Sequence, residues 1–111
     1  MITRQAVLLV GGKGTRLGAL TIKTPKPLMP LDANTVFLDE VLFDVARHGF
    51  DDIILSAGYL AEQFIARYHE CSIGGARVRV HVEAQPAGTG GALREVAAWL
   101  APTFLLANGD T

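Results

Sequence analysis

The stretch that decides the fold is AVLLVGGKGTRL, residues 6–17. Its first part, Ala6–Val10, is a continuous apolar run, which is typical of a strand buried on both faces of a parallel sheet. Glycines follow at once at positions 11, 12 and 14. They permit a sharp turn and let backbone N–H groups approach a phosphate without an intervening Cβ. The stretch therefore predicts a buried strand that ends in an anion-binding loop.

The rest of the chain alternates helix-like and strand-like patterns. Helical spacing of apolar residues is found at Val36–Arg47, Leu60–Tyr68 and Leu93–Leu100, and further strands are predicted at Asp52–Ala57, Val78–Glu83 and Phe104–Ala107. This order predicts an α/β fold: a doubly wound, mainly parallel sheet of Rossmann-like type with helices on both faces. Such sheets bind ligands at the carboxyl ends of their strands.

Composition excludes several classes of protein. Half of the residues are hydrophobic and 19% are charged, which supports a buried core and argues against bulk disorder. Ten basic against eleven acidic residues leave no basic stripe, so we expect no nucleic-acid partner. The first apolar run is too short for a signal segment or a membrane span. The lone Cys71 fits a reducing compartment, so a cytoplasmic protein is expected.

Two familiar phosphate loops do not match the glycine segment. A dinucleotide-binding fingerprint requires glycine where Leu17 stands, which disfavours a dinucleotide-dependent oxidoreductase. A Walker A loop requires Ser or Thr where Gly14 stands. Lys13 and Arg16 add two cations to the loop, and the planar guanidinium of Arg16 suits phosphate oxygens. A tight turn with solvated charges is the structural alternative.

A longer pattern points to one family. The run LLVGGKGTRLG at residues 8–18, followed by TPKPLMPL at 24–31, resembles the paired signature of sugar-phosphate nucleotidyltransferases. The later segments keep the family's order and spacing, and 36–59 and 83–92 most resemble heptose and mannose 1-phosphate guanylyltransferases. The resemblance implies transfer of NMP from an NTP, with GTP favoured, to a sugar 1-phosphate. It also implies Mg²⁺ as cofactor.

The resemblance assigns roles to individual residues. Arg16 on the β- and γ-phosphates and Lys26 at the reacting centre are the predicted catalytic residues, and Asp110 is the predicted Mg²⁺ ligand, since hard cations favour carboxylate oxygens. The predicted nucleotide-binding residues are Gly11, Gly12, Gly14, Thr15, Glu83, Gln85, Gly88 and Thr89. Pro25, Pro27 and Pro30 predict an extended, stiff path that presents Lys26.

Two residues compete for the base. The carboxylate of Glu83 suits the paired N–H donors of guanine, whereas the amide of Gln85 suits uracil or thymine, which carry one N–H between two carbonyls. Both residues are present, so the choice of base stays open at this point, with GTP favoured by the resemblance.

Members of this family are longer than 111 residues, and their second half supplies the sugar pocket. We therefore expect residues 1–111 to be the nucleotide-binding part of the domain, truncated before the sugar-binding half. Exposed apolar surface at that boundary would leave homo-oligomer formation open. The alternative function is a non-catalytic paralogue that binds nucleotide sugars and regulates a partner; the presence of Arg16, Lys26 and Asp110 argues against it.

We predict that Arg16→Ala and Lys26→Ala, made in a full-length form, each lower turnover at least about tenfold, because each removes a cation from the phosphates. Steady-state kinetics measure the loss, and a thermal melt controls for folding. Wild-type rates in both variants would contradict the assignment.

Overall fold

The first strand lies inside the sheet. The computed structural model describes residues 4–10, 26–58, 61–83, 91, 93, 94 and 96–108. In chain order the elements are β1 (Gln5–Leu9), a 3₁₀ helix (Lys26–Leu28), α1 (Phe37–Arg47), β2 (Asp52–Ala57), α2 (Ala61–Tyr68), β3 (Cys71–Ile73), β4 (Ala76–Val82), a second 3₁₀ helix (Ala97–Trp99) and β5 (Leu105–Asn108). Ala6, Val7 and Leu8 are fully buried, as expected of a strand covered on both faces.

The sheet has the strand order β3-β4-β2-β1-β5. Strands β4, β2, β1 and β5 run parallel, and only β3 is antiparallel to its neighbour. The chain moves outward from β1 to β2 and β4, and then returns to the other side of β1 as β5. This change of direction beside β1 is the switch point of a doubly wound sheet, and the predicted fold class is confirmed.

The two faces of the sheet are covered by different segments. Helices α1 and α2 pack on one face, where Leu38, Leu42 and Phe64 join a core with Leu8 and Leu55. On the other face the segment before β5 supplies Val96, which packs with Val7 and Ile54. Because crossovers between parallel strands are right-handed, reversing the direction of travel moves the last connection to the opposite face. This segment is helical at residues 91, 93 and 94 and in the second 3₁₀ helix. The sequence had predicted one helix over Leu93–Leu100.

One strand was missed. β3 forms a hairpin with β4, closed by Gly74 and Gly75 between the paired residues Ile73 and Ala76. Their φ angles of 58° and 85° are those of a type I′ turn, which matches the twist of a two-residue hairpin. The hairpin also moves the start of β4 to Ala76, two residues before the predicted Val78. Two glycines before an alternating segment were the available signal.

The path around Lys26 corrects a second expectation. Lys26–Leu28 form one 3₁₀ turn, not an extended segment. A proline φ near about −65° is compatible with 3₁₀ geometry, and Leu28, only 7% exposed, joins the core beneath α1. Burial of Leu28 therefore outweighs the bias of the prolines toward extended backbone.

One carboxylate connects the two helices on the α1 face. Asp39 accepts hydrogen bonds from the backbone N–H of Val36 at 2.9 Å, from the Tyr68 hydroxyl at 2.7 Å and from Arg67 at 2.5 Å. Burial alone would raise the pKa of Asp39, but these hydrogen bonds together hold it below its ordinary value. The carboxylate thus caps the start of α1 and fixes it to the end of α2.

We predict that Asp39→Asn lowers the free energy of unfolding by about 2 kcal/mol at neutral pH, because it removes a cap and a charged partner of Arg67. Since the folded-state pKa is depressed, the stabilisation is present above the ordinary value of 3.8 and is lost as the pH falls through the lower, folded value. The difference in urea midpoint between wild type and Asp39→Asn should therefore be largest at pH 7 and shrink as the pH is lowered below 3.8. The exposed neighbour Glu40 provides the control Glu40→Gln; an equal loss in that variant would refute the role of Asp39.

Candidate active site

The carboxyl ends of the parallel strands meet at one edge of the sheet. Leu9 of β1 is in register with Ser56 of β2 on one side and with Asn108 of β5 on the other. Beyond β1 the pairing continues, since the N–H of Val10 donates to the carbonyl of Ser56 at 3.0 Å. Likewise the N–H of Glu83 donates to the carbonyl of Ala57 at 2.7 Å. The segments that follow β1 and β5 therefore start next to each other, and the segment that follows β4 starts at the same edge with β2 between β4 and β1.

The predicted site residues fall on those segments. Glu83 is described in full, at the end of β4, and Lys26 begins the first 3₁₀ helix. The others lie outside the described residues: Gly11, Gly12, Gly14, Thr15, Arg16, Gln85, Gly88, Thr89 and Asp110. Their roles, like that of the Lys26 side chain, stay predictions. The fold does provide the points at which their segments start, at the carboxyl ends of parallel strands of one sheet.

Glu83 is held at this edge by two contacts. Its backbone extends the β2–β4 pairing by one hydrogen bond, and its carboxylate accepts a hydrogen bond from the Ser56 hydroxyl at 3.1 Å. Ser56 is completely buried, whereas Glu83 is half-buried. The carboxylate thus has one side anchored in the protein and keeps access to the surface. An accessible, anchored acceptor of this kind suits recognition of a ligand's N–H groups.

Below Glu83 the same face of β4 is packed against the segment before β5. Arg79 and His81 share the face of Glu83 because side chains alternate along a strand. The Arg79 guanidinium lies 4.7 Å from the centre of the Trp99 ring and donates to both carboxylate oxygens of Asp52, at 3.1 and 3.0 Å. The His81 ring meets Trp99 edge to face at 5.3 Å. These contacts fix the covering segment over β4.

A buried amide completes this attachment at the start of β1. Gln5, 4% exposed, donates to Asp52 at 2.9 Å and to the carbonyl of Trp99 at 2.8 Å, and it accepts from the N–H of Ala101 at 2.8 Å. The amide therefore satisfies its own polar atoms and those of the chain entering β5. These hydrogen bonds attach the segment that enters β5 to the start of β1.

Ser56 was not singled out from the sequence. Its signal was present, since DIILSA is apolar from Ile53 to Ala57 except at Ser56. A hydroxyl inside a strand buried on both faces requires a hydrogen-bond partner, because leaving it unpaired costs about 1–3 kcal/mol. The partner comes from another strand, and the sequence does not specify the register that brings the two together.

The described residues contain no group of three or more potential metal ligands. The predicted ligand Asp110 comes two residues after Asn108, which closes β5 next to Leu9 of β1. A carboxylate there would follow the strand beside the glycine loop. Asp110 itself lies outside the described residues, so its role as a cation ligand stays a prediction.

Comparison with known proteins decides the family. A family model described as "Nucleotidyl transferase" matches residues 5–110. The chain belongs to the nucleotidyl transferase family. A mannose-1-phosphate guanylyltransferase of Mycobacterium tuberculosis is 41% identical over 99% of this chain and 31% of its own length. A D-glycero-alpha-D-manno-heptose 1-phosphate guanylyltransferase of Aneurinibacillus thermoaerophilus is 37% identical over 96% of this chain and 46% of its own length.

Solved structures share the fold. HddC from Yersinia pseudotuberculosis, in a crystal structure complexed with GMP-PN, matches with a TM-score of 0.82 and 31% identity, over 97% of this chain and 48% of that one. Rv0371C from M. tuberculosis, in complex with manganese, matches with a TM-score of 0.55 and 26% identity, over 99% of this chain and 52% of that one. The chain thus spans less than half the length of the two guanylyltransferases named above. No helix among its described residues is long and apolar enough to cross a membrane.

Proposed function

We propose that this chain binds the nucleotide in a sugar-phosphate nucleotidyltransferase, which transfers NMP from an NTP to a sugar 1-phosphate. The observation that carries the proposal is that β1, β4 and β5 run parallel. The glycine loop, the Glu83 segment and the Asp110 segment, which follow these strands, therefore begin at the same edge of the sheet. Because β4, β2, β1 and β5 are consecutive in the sheet, the three segments begin along one row of strand ends, which a single extended nucleotide can span. Membership of the nucleotidyl transferase family supports the same reaction class.

In the proposed reaction a phosphate oxygen of the sugar 1-phosphate attacks the α-phosphorus of the NTP. A new P–O bond forms as the bond between the α-phosphorus and its bridging oxygen breaks, and that oxygen leaves with pyrophosphate. The protein acts mainly by position and charge. The amides of residues 11–14 and the guanidinium of Arg16 hold the phosphates, and Lys26 stabilises charge at the reacting centre.

We assign a divalent cation to Asp110, with Mg²⁺ as the physiological ion. When bound, the ion would offset negative charge on the nucleotide phosphates. The support is that Asp110 follows in sequence shortly after β5, the strand paired with β1, and that a structural relative was solved as a manganese complex. Further ligands would come from phosphate oxygens and water.

For the base we propose guanine, read by Glu83. The support is the position of the carboxylate, which lies at the ligand-binding edge and keeps acceptor capacity beyond the Ser56 hydroxyl. Guanine presents adjacent N–H donors that such a carboxylate can accept. The relatives described above are guanylyltransferases, and one structural relative was crystallised with GMP-PN.

We further propose that residues 1–111 form the nucleotide-binding part of a larger domain. In the described part of the chain β5 is the outermost strand of the sheet on the side of β1. Its side chains Leu105 and Leu106 are 38% and 37% exposed. An uncovered edge strand with apolar side chains favours pairing with further chain. The share of the relatives that this chain covers supports the same view.

The decisive experiment screens nucleotides against the natural gene product. Thermal shifts with GTP, dTTP, UTP, CTP and NAD in Mg²⁺ identify the nucleotide, since a ligand that binds the folded state raises its melting temperature. A coupled assay for pyrophosphate with mannose and heptose 1-phosphates tests the transfer. We expect GTP to give the largest shift and the highest rate. Binding without pyrophosphate release would favour a regulatory, non-catalytic role, and stabilisation by NAD alone would refute the proposal.

We predict that Asp110→Asn lowers turnover about a hundredfold or more and raises the Mg²⁺ concentration needed for half-maximal rate, because a neutral amide holds a hard cation weakly. Pyrophosphate release over a metal titration measures both. Asp51→Asn is the matched control, since Asp51 is exposed and pairs with Arg4 at the opposite end of the strands. The same metal dependence in Asp110→Asn and wild type would remove Asp110 from the site.

A further inference from the structure

We infer that Ser56 is a positioning residue for base selection: its buried hydroxyl fixes the Glu83 carboxylate in the orientation that accepts the two adjacent N–H donors of guanine. The inference rests on the proposed function for its substrate. It adds a residue from inside the sheet, and a mechanism of selectivity, to a site otherwise assigned to loop residues.

The hydroxyl has no solvent available to it. Ser56 is 0% exposed, on a strand where Ile53, Ile54, Leu55 and Ala57 are also fully buried. An alanine at this position would fit the apolar strand without any hydrogen-bonding requirement. Among the described residues, the side-chain partner of this hydroxyl is the Glu83 carboxylate, at 3.1 Å. A buried hydroxyl with a half-exposed partner gains the hydrogen bond it requires. The same hydrogen bond also restricts the orientation of that partner.

Hydrogen bonds restrain Glu83 at its backbone and at the tip of its side chain. The backbone of Glu83 is fixed by its hydrogen bond to Ala57 at 2.7 Å, and Oε1 is fixed by Ser56. Ser56 and His81 are register partners on β2 and β4, so Glu83 lies one alternation further along the same face. The contact is therefore a diagonal cross-strand pair at the last hydrogen-bonded position before the ligand segment.

A carboxylate offers about four acceptor positions on two oxygens, and Ser56 occupies one of them. The remaining positions, one on Oε1 and two on Oε2, suffice for two parallel N–H bonds. Fixing the plane of the carboxylate favours the pair of donors that guanine presents over a single donor, since both bonds require one orientation. Hypoxanthine, which lacks the exocyclic amine, can supply one of the two.

The test compares GTP with ITP in the natural gene product, through kcat/KM and through dissociation constants for GDP and IDP. We expect wild type to prefer the guanine nucleotides and Ser56→Ala to reduce the guanine-to-hypoxanthine ratio about fivefold, as loss of one positioning hydrogen bond implies. A loss of packing alone would weaken the binding and lower the kcat/KM of guanine and hypoxanthine nucleotides equally, and would leave the ratio unchanged. Ser56→Cys, which keeps the volume but donates weakly, replaces Ser56→Ala if the latter does not fold.

Two further variants sharpen the test. Ser72→Ala removes an exposed serine from β3 and should leave the ratio at its wild-type value. Glu83→Gln should reduce the ratio by itself, and adding Ser56→Ala to it should change the ratio no further, because Ser56 acts through Glu83.

The binding and turnover readouts separate the two proposals. A ratio of dissociation constants that responds to Ser56→Ala supports the inference even if no pyrophosphate is released, in which case only the proposed transfer fails. An unchanged ratio, additive losses in the double variant, or a wild type without preference for guanine would each overturn the role of Ser56.

Discussion

The parallel pairing of β1 with β2 on one side and β5 on the other is the constraint on which the rest of the molecule depends. Leu8 is opposite Leu55 in one pairing and opposite Ala107 in the other, so one fully buried strand sets the register of both neighbours. A shift of one residue would turn every apolar side chain of the strand to the opposite face. That register also fixes which strand ends are neighbours, and hence which loops can share a ligand.

The elements predicted correctly from the sequence are those in which burial produces a regular pattern of apolar residues along the chain. The run from Ala6 to Val10 indicated a doubly covered strand, and helical spacing located α1 within one residue of its start at Phe37. The elements that differed depend on contacts from distant parts of the chain. Lys26–Leu28 forms a 3₁₀ turn because Leu28 is drawn into the core under α1, a contact that no local pattern of prolines contains.

The candidate site divides in the same way. The glycines after β1 and the carboxylates after β4 and β5 can be recognised from the local sequence. The turn restricts the first position to glycine, and the ligand chemistry restricts the others to Asp or Glu. That these segments start along the same edge of one sheet follows only from the strand order, which depends on the direction in which each crossover returns. Ser56 shows the limit most clearly: its type is visible in DIILSA, but its partner, Glu83, is fixed by the β2–β4 register.

Three polar residues are buried in the described part of this chain: Gln5, Asp39 and Ser56. Gln5 joins the segment before β5 to the start of β1, and Asp39 joins the start of α1 to the end of α2. Ser56 differs because, among the described residues, the side-chain partner of its hydroxyl is Glu83 alone, at the carboxyl-end edge of the sheet. Stability alone gives no reason for a hydroxyl at this position, since an alanine would pack in the same strand without a partner. This contrast supports the proposal that Ser56 acts through the carboxylate of Glu83.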